Sequence, residues 1–339
     1  MVRNLITGPG FVASHLADYL LEQGEEVYIT ARWTDDKSSF DHIKDKVNWI
    51  PMDLNDLSSC IKAIEEVRPD YIFHLGAQSY VSDSFIYPAV TIQTNTLGTL
   101  NLLEAVRLVR DRDSMMYDLT GGSILKHYFN PVVHVCSSSE VYGQVTKDEV
   151  PIKETNQFRP ANPYAVGKVG EDMIAYQYWK SYGLKIIRTR MFTHTGPRRK
   201  MMSAECNFAR QIARIELGLQ EPVLGHGNLD SIRTWADVRD AVRAYYVLVR
   251  ECTIGEVYNI GGDTTKSIGQ MLQILLEFST HKRIKLEEDP SLLRKSDVTL
   301  QIPDCSKFKN ETGWEPTYSF DKTMYDLLEW WRKEERKNV

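Results

Sequence analysis

Short apolar runs alternate with amphipathic stretches of helical period through the first half of the chain. The segments "RNLITG", "EVYITA", "VNWIPMDL", "DYIFHLGA" and "PVVHVCSSS" are rich in Val, Ile, Leu and aromatics and predict five strands. Between them, "SHLADYLLEQG" (stopped by Gly24), "DLSSCIKAIEEVRP" and "LGTLNLLEAVRLVR" carry apolar residues three and four apart and predict helices. Such alternation implies parallel strands joined by crossover helices, hence an α/β, doubly wound parallel sheet of the Rossmann type. Residues 111–130 break the rhythm. They are polar, contain "TGGS", and read as an inserted surface excursion before the fifth strand. From about Thr193 proline, glycine and arginine cluster in "HTGPRRKMMSAECN", followed by mixed short elements. The last segment, "DKTMYDLLEWWRKEER", predicts an amphipathic C-terminal helix. The expected organisation is a cofactor-binding domain over 1–192. A smaller, mainly substrate-binding α/β part follows over 193–339, with some chain crossing back.

Composition narrows the classes of function. A hydrophobic fraction of 42% and a charged fraction of 26% are ordinary for a globular enzyme, and 339 residues suffice for one large domain or a large and a small one. The net charge of −5 gives no electrostatic support to a nucleic-acid partner. Cys60, Cys136, Cys206, Cys252 and Cys305 are scattered and lack ligand spacing, which favours reduced thiols over disulfides or a bound metal. No apolar run approaches the roughly 18–20 residues of a membrane span, and the N-terminus lacks a signal-peptide layout. A soluble, cytoplasmic protein with no membrane partner is expected.

Where the first predicted strand (Val2 to Ile6) meets its helix, the turn Gly8-Pro9-Gly10-Phe11-Val12-Ala13 reads G-x-G-x-x-A. Its place at the head of a βαβ unit is the context that dinucleotide binding requires. Gly8 suits the tight turn, Gly10 lets backbone approach a pyrophosphate, and the helix N-terminus offers N–H donors to the anion. Pro9 has no N–H to donate. At the end of the second strand, Arg32 with Lys37, Ser38 and Ser39 suits a 2′-phosphate and favours NADP. Asp35 and Asp36 keep NAD as the alternative. Asp53, after the third strand, is placed for an adenine amino group or as a helix N-cap.

Two stretches carry the chemistry. In "NPYAVGKVGED", Tyr164 and Lys168 stand four apart on one helix face. There the ammonium can lower the phenol's pKa from about 10, so that a phenolate removes a hydroxyl proton while hydride leaves the same carbon. In "VCSSSEVYG", the fifth strand ends in Ser137-Ser138-Ser139, and strand C-termini of a doubly wound sheet face the ligand crevice. Glu140 follows, either as a working carboxylate or as one half of an ion pair.

The series "HLGAQSYVSDSF", "NTLGTLNLLEA", "SSSEVYG", "NPYAVGK", "HTGPRR", "GNLDSIRTWADVRDAV", "VYNIGG" and "DVTLQIPDCSKFKNETGWEP" covers nearly the whole chain. In that order it resembles the extended short-chain dehydrogenase/reductases and, among them, most the GDP-mannose 4,6-dehydratases. Relatives of this kind usually have one more residue between the first two glycines and a glycine where Ala13 stands. The resemblance implies a catalytic set of Ser138, Glu140, Tyr164 and Lys168, with Glu140 acting at C5 and C6 of a sugar. It implies cofactor contacts from Gly8, Gly10, Phe11, Val12, Arg32, Asp53, Leu54, Leu75, Ala77, Tyr164 and Lys168. Substrate contacts are expected from Ser79, Thr193, Asn207, Arg198, Arg233, Arg294 and Asp297, the arginines, with Arg199 beside Arg198, matching a nucleoside diphosphate. Thr193 stands where the family has asparagine. That departure leaves mannose or a one-carbon-longer heptose as the sugar of a GDP-linked substrate. C4 epimerisation or decarboxylation of a UDP-sugar is the alternative reaction. Self-association as a homodimer or homotetramer is also implied, with the 32–43 loop as a tetramer contact.

Overall fold

The computed structural model describes residues 1–121, 128–201, 203–293 and 298–337. The first half runs β1 (Arg3–Thr7), α1 (Phe11–Glu22), β2 (Glu26–Ala31), β3 (Asn48–Pro51), α2 (Leu57–Val67), β4 (Tyr71–His74), α3 (Val81–Ile86), α4 (Pro88–Ile92), α5 (Gly98–Thr120), β5 (Val132–Ser138), α6 (Pro163–Tyr182) and β6 (Lys185–Met191). The second half adds β7 (His194–Thr195), α7 (Ala204–Glu216), β8 (Val223–His226), β9 (Ile232–Asp237), α8 (Val238–Glu251), β10 (Val257–Ile260), β11 (Thr264–Ser267), α9 (Ile268–Glu277), β12 (Lys285–Glu288), β13 (Leu300–Gln301), α10 (Ser306–Thr312) and α11 (Phe320–Arg336).

Seven strands form one parallel sheet in the order β3-β2-β1-β4-β5-β6-β10. The order reverses between β1 and β4, so the crevice of a doubly wound fold opens above the C-terminal ends of those two strands. Alternation along each strand divides the core. Ile6, Ile29 and Phe73 face Leu16 and Leu20 of α1 and Tyr245 and Leu248 of α8. Leu5, Ile72 and Val133 face Ile64 of α2, Leu102 and Val106 of α5 and Ala175 of α6. The seventh strand and α8 both come from beyond residue 193, so the second half of the chain completes the sheet and covers one of its faces. A separate apolar cluster joins α7, α9 and α11 through Phe208, Leu272 and Leu328.

Local chemistry sets the helix starts near the crevice. Asn162 caps α6 by accepting a bond from Ala165 N at 2.8 Å, Pro163 occupies the first turn, and Gly183 ends the helix at φ +67°. The cap of α2 is Asp56, which accepts from Ser58 N at 2.9 Å. Asp53 instead closes a local turn, its Oδ1 accepting from Asn55 N at 2.9 Å, so the capping role expected of it falls three residues on. The expected excursion over 111–130 is also corrected. α5 runs unbroken through Thr120, held by Arg107–Glu104, Arg107–Asp111 and Arg112–Glu65 ion pairs that make a polar face helical. Residues 122–127 lie outside the described residues.

Candidate active site

A cavity of about 740 Å³ occupies the crevice, within the usual range of small-molecule sites. One end is the glycine turn. Gly8 has φ +79°, and a Cβ there would come within 3.0 Å of Gly76 Cα, so the turn demands glycine. A Cβ on Gly10 would meet nothing within 4 Å, because this residue faces open space. Gly10 caps α1 without a side chain, which leaves the first-turn N–H groups for an anion. The shortened turn therefore still lines the cavity with a helix start whose N–H groups no side chain caps. Phe11 and Val12 line it beside Leu75 and Ala77 from the end of β4, and Asp53 and Leu54 line the adjoining wall. Asn95, fully buried, holds the β4 loop by accepting from Gln78 N (2.8 Å) and donating to Gln78 O (3.0 Å).

Arg32 lines the cavity mouth and pairs with Asp35 at 2.7 Å. Lys200, from the second half, lines it too and pairs with Asp36. Of the expected trio, Ser39 faces the cavity, whereas Lys37 lies over the Trp49 ring at 4.6 Å. Two cations and a hydroxyl at the mouth fit a 2′-phosphate, each cation having a carboxylate to exchange for it. The cavity, the glycine cradle and this basic mouth together fit a nicotinamide dinucleotide.

Ser138, Tyr164 and Lys168 line the same cavity. Burial pushes the Tyr164 phenol above its usual range; the charge of Lys168 and a hydrogen bond with Ser138 oppose that rise. Lys168 Nζ donates to Cys136 O at 2.8 Å and to Glu171 Oε2 at 2.7 Å. Glu140 follows Ser138 in a short 3-10 turn, its N–H donating to Ser138 Oγ at 3.2 Å. Each of its carboxylate oxygens is held by an amide: Asn162 Nδ2 donates to Oε2 at 3.0 Å, and Gln301 Nε2 to Oε1 at 3.1 Å. Among the described residues no cation pairs with Glu140, and its two oxygens are oriented by neutral donors.

The expected substrate residues are more scattered. Ser79 lines the cavity, whereas Thr193, Asn207 and Arg233 do not. Arg233 is buried on β9 opposite Gln301 of β13, the residue that holds Glu140. Arg198 is a correction: its guanidinium turns away from the crevice to Asp18 of α1 (2.7 Å) and to His15 and His42. Its backbone has φ +70°, and it is Arg199 that lines the cavity, 5.4 Å over the Phe11 ring. Arg294 and Asp297 lie outside the described residues. Residues that the motifs passed over are Tyr245, Cys136 and Glu171. Helical spacing announces the last, since Tyr164, Lys168 and Glu171 stand at i, i+4 and i+7.

This fold and site define an extended short-chain dehydrogenase/reductase: a dinucleotide crevice lined by Ser138, Tyr164 and Lys168, with Glu140 bonded to Ser138 just outside the cavity lining, and completed by the second half of the chain. The chain belongs to the GDP-mannose 4,6 dehydratase family, whose model matches residues 5–327. It is 31% identical to a GDP-mannose 4,6-dehydratase of Yersinia enterocolitica, over 97% of this chain and 93% of that one. Identity to a GDP-6-deoxy-D-mannose reductase of Pseudomonas aeruginosa is 30%, over 79% of this chain and 82% of that protein. The solved structure of RMD from Pseudomonas aeruginosa, complexed with NADPH, superposes with a TM-score of 0.79. It is 29% identical and covers 98% of this chain and 100% of its own.

Proposed function

We propose that the protein is a nucleotide-sugar 4,6-dehydratase, converting GDP-mannose or a related GDP-manno-heptose into the GDP-4-keto-6-deoxy sugar with NADP as a resident cofactor. The observation that carries this reading is Glu140: a carboxylate tied through its own N–H to Ser138, oriented by two amides and, among the described residues, without an ion pair. Oxidation at C4 alone needs a hydroxyl base, whereas loss of the C6 hydroxyl also needs a carboxylate to take the C5 proton. The bound nicotinamide supplies reversible storage of the hydride that moves from C4 to C6. Tyr164 takes the C4 hydroxyl proton, with Ser138 positioning that hydroxyl and Lys168 stabilising the phenolate. Glu140 takes the C5 proton and returns it to the departing C6 hydroxyl, which leaves as water. The C4 hydroxyl proton balances the one C5 regains, so the net change is the loss of one water.

In this reading residues 1–192 chiefly bind the cofactor and 193–339 mainly the nucleotide sugar, with Arg233, Asn207, Thr193, Arg294 and Asp297 on the substrate side. The reading includes a cytoplasmic location, in keeping with five free cysteines and with the lack, among the described residues, of a helix long and apolar enough to cross a membrane. It also includes self-association as a homodimer or homotetramer. Leu108, Met115 and Leu119 on α5, and Val166, Met173 and Tyr176 on α6, recur at helical spacing as exposed apolar stripes.

The purified protein incubated with GDP-mannose should yield a product lighter by one water, with a 4-keto group. A product of unchanged mass from a UDP-sugar would indicate epimerisation instead. Turnover that consumes added NADPH without water loss would indicate a ketoreductase.

A further inference from the structure

Glu171 sits behind the catalytic pair on the face of α6 that carries Tyr164 and Lys168. Its Oε2 accepts from Lys168 Nζ at 2.7 Å, in a pair whose side chains are 1% and 6% exposed respectively. Its other oxygen is buried with no hydrogen-bond partner among the described residues, so this carboxylate is held by Lys168. An ammonium has three N–H donors. Glu171 and the Cys136 carbonyl take two, which leaves the third for the cavity that Lys168 lines.

We propose that Glu171 is a positioning residue that keeps Lys168 charged in its water-poor pocket and fixes its reach into the crevice. The proposal rests on Tyr164 and Lys168 being the proton-transfer pair.

The neighbours of the pair leave this task to Glu171. His74 of β4 and His134 of β5 are buried and neutral, their pKa values pushed down to about 3 by desolvation and then by nearby charges, Lys168 among them. The Cys136 thiol and the Tyr245 phenol of α8 are pushed up by burial and stay protonated. Asp172, the other acid on α6 here, is turned to Arg188 and Arg190 of β6 at 2.8 Å each. Burial alone would lower Lys168, but Glu171 is the largest opposing influence and the ammonium ends above its ordinary range. Burial likewise pushes the Glu171 carboxyl up to about 7, against the pull of Lys168. The carboxylate is therefore charged on the alkaline side of neutrality.

The test is a pH titration by NMR of protein carrying 13C-labelled lysine, with the Lys168 signal identified by its absence in Lys168→Met. In the wild type Lys168 should remain mostly protonated at about pH 10.5, the ordinary value for lysine. In Glu171→Gln its titration should fall by about two units, and the alkaline limb of the rate profile should move down in pH by about the same amount, whereas Glu171→Asp keeps the charge and recovers most of both. A Lys168 that titrates alike in wild type and Glu171→Gln overturns the proposal. So does wild-type Lys168 found deprotonated at about pH 10, a measurement that needs no variant of Glu171 to fold. The titration requires no sugar, so its failure is distinct from failure of the dehydratase reading, which the water-loss assay reports.

Discussion

At the scale of single residues, the account turns on two acids with different surroundings. Glu140 lies next to Ser138 and is oriented by Asn162 and Gln301. Glu171 is sealed against Lys168. Glu140→Gln keeps the shape and removes the base, so the variant should bind GDP-mannose as before and lose about a hundredfold or more of its dehydration rate. Isothermal titration beside the water-loss assay checks both halves, and unchanged turnover would remove Glu140 from its role. That Tyr164 and Lys168 share one face and that the fifth strand brings Ser138 to the same cavity was legible in the sequence, because these residues lie in two short motifs with helical and strand-end spacing. Arg198 was not. Two adjacent arginines in one loop look alike in sequence, and only their placed side chains separate Arg199 at the crevice from Arg198 at Asp18. The aim of Lys37 at Trp49 was equally hidden, since a long side chain can follow any nearby aromatic face.

Between elements, the tie that holds the catalytic helix to the sheet is a buried ionic triad. Asp172 of α6 is fully buried and receives Arg188 Nη1 and Arg190 Nε from β6, each at 2.8 Å. Arg190 also donates to Tyr142 Oη (3.0 Å) and Glu154 O (2.7 Å), so the triad reaches the turn that carries Glu140. Removing the shared anion strands two guanidinium groups in the core. Asp172→Ala should therefore lower stability by about 3–5 kcal/mol, measured by urea unfolding with the cofactor held constant. A loss below about 1 kcal/mol would mean that water reaches the arginines. The first five strands and the helices α1, α2 and α5 were readable from periodicity, whereas the sixth strand (β6) and the short α3 and α4 were not. The full length of α5 was not, because charged residues over 111–120 mimic a loop until their partners at i+3, i+4 and on α2 are seen.

Across the whole molecule, buried histidines link stability to acidity. His15, His74 and His134 are pushed down to about 3 and His194 to about 4, burial being the leading cause in each and the charge of Arg198 or Arg199 adding to it at His15 and His194. The folded values lie below the unfolded value of about 6.5, so the unfolded chain takes up protons that the folded one refuses. The stabilisation is complete above about pH 6.5 and is lost as pH falls toward 3–4, at up to about 1.4 kcal/mol per unit for each histidine. Urea midpoints at pH 7.5 and at about 5 should differ in that sense, and equal midpoints would show that these rings ionise in place. The doubly wound sheet was legible at this scale from strand–helix alternation. That its seventh strand and one covering helix come from the second half was legible only as chain crossing back, because β10 and α8 carry no mark of their destination. The central claim is that one site oxidises C4, removes water across C5 and C6, and returns the same hydride to C6. GDP-mannose carrying deuterium at C4 tests it directly, by mass spectrometry and NMR of the product. The account predicts loss of one water and the deuterium recovered on C6 of a 4-keto sugar; deuterium still on C4, or a product with its C6 hydroxyl intact, would contradict it.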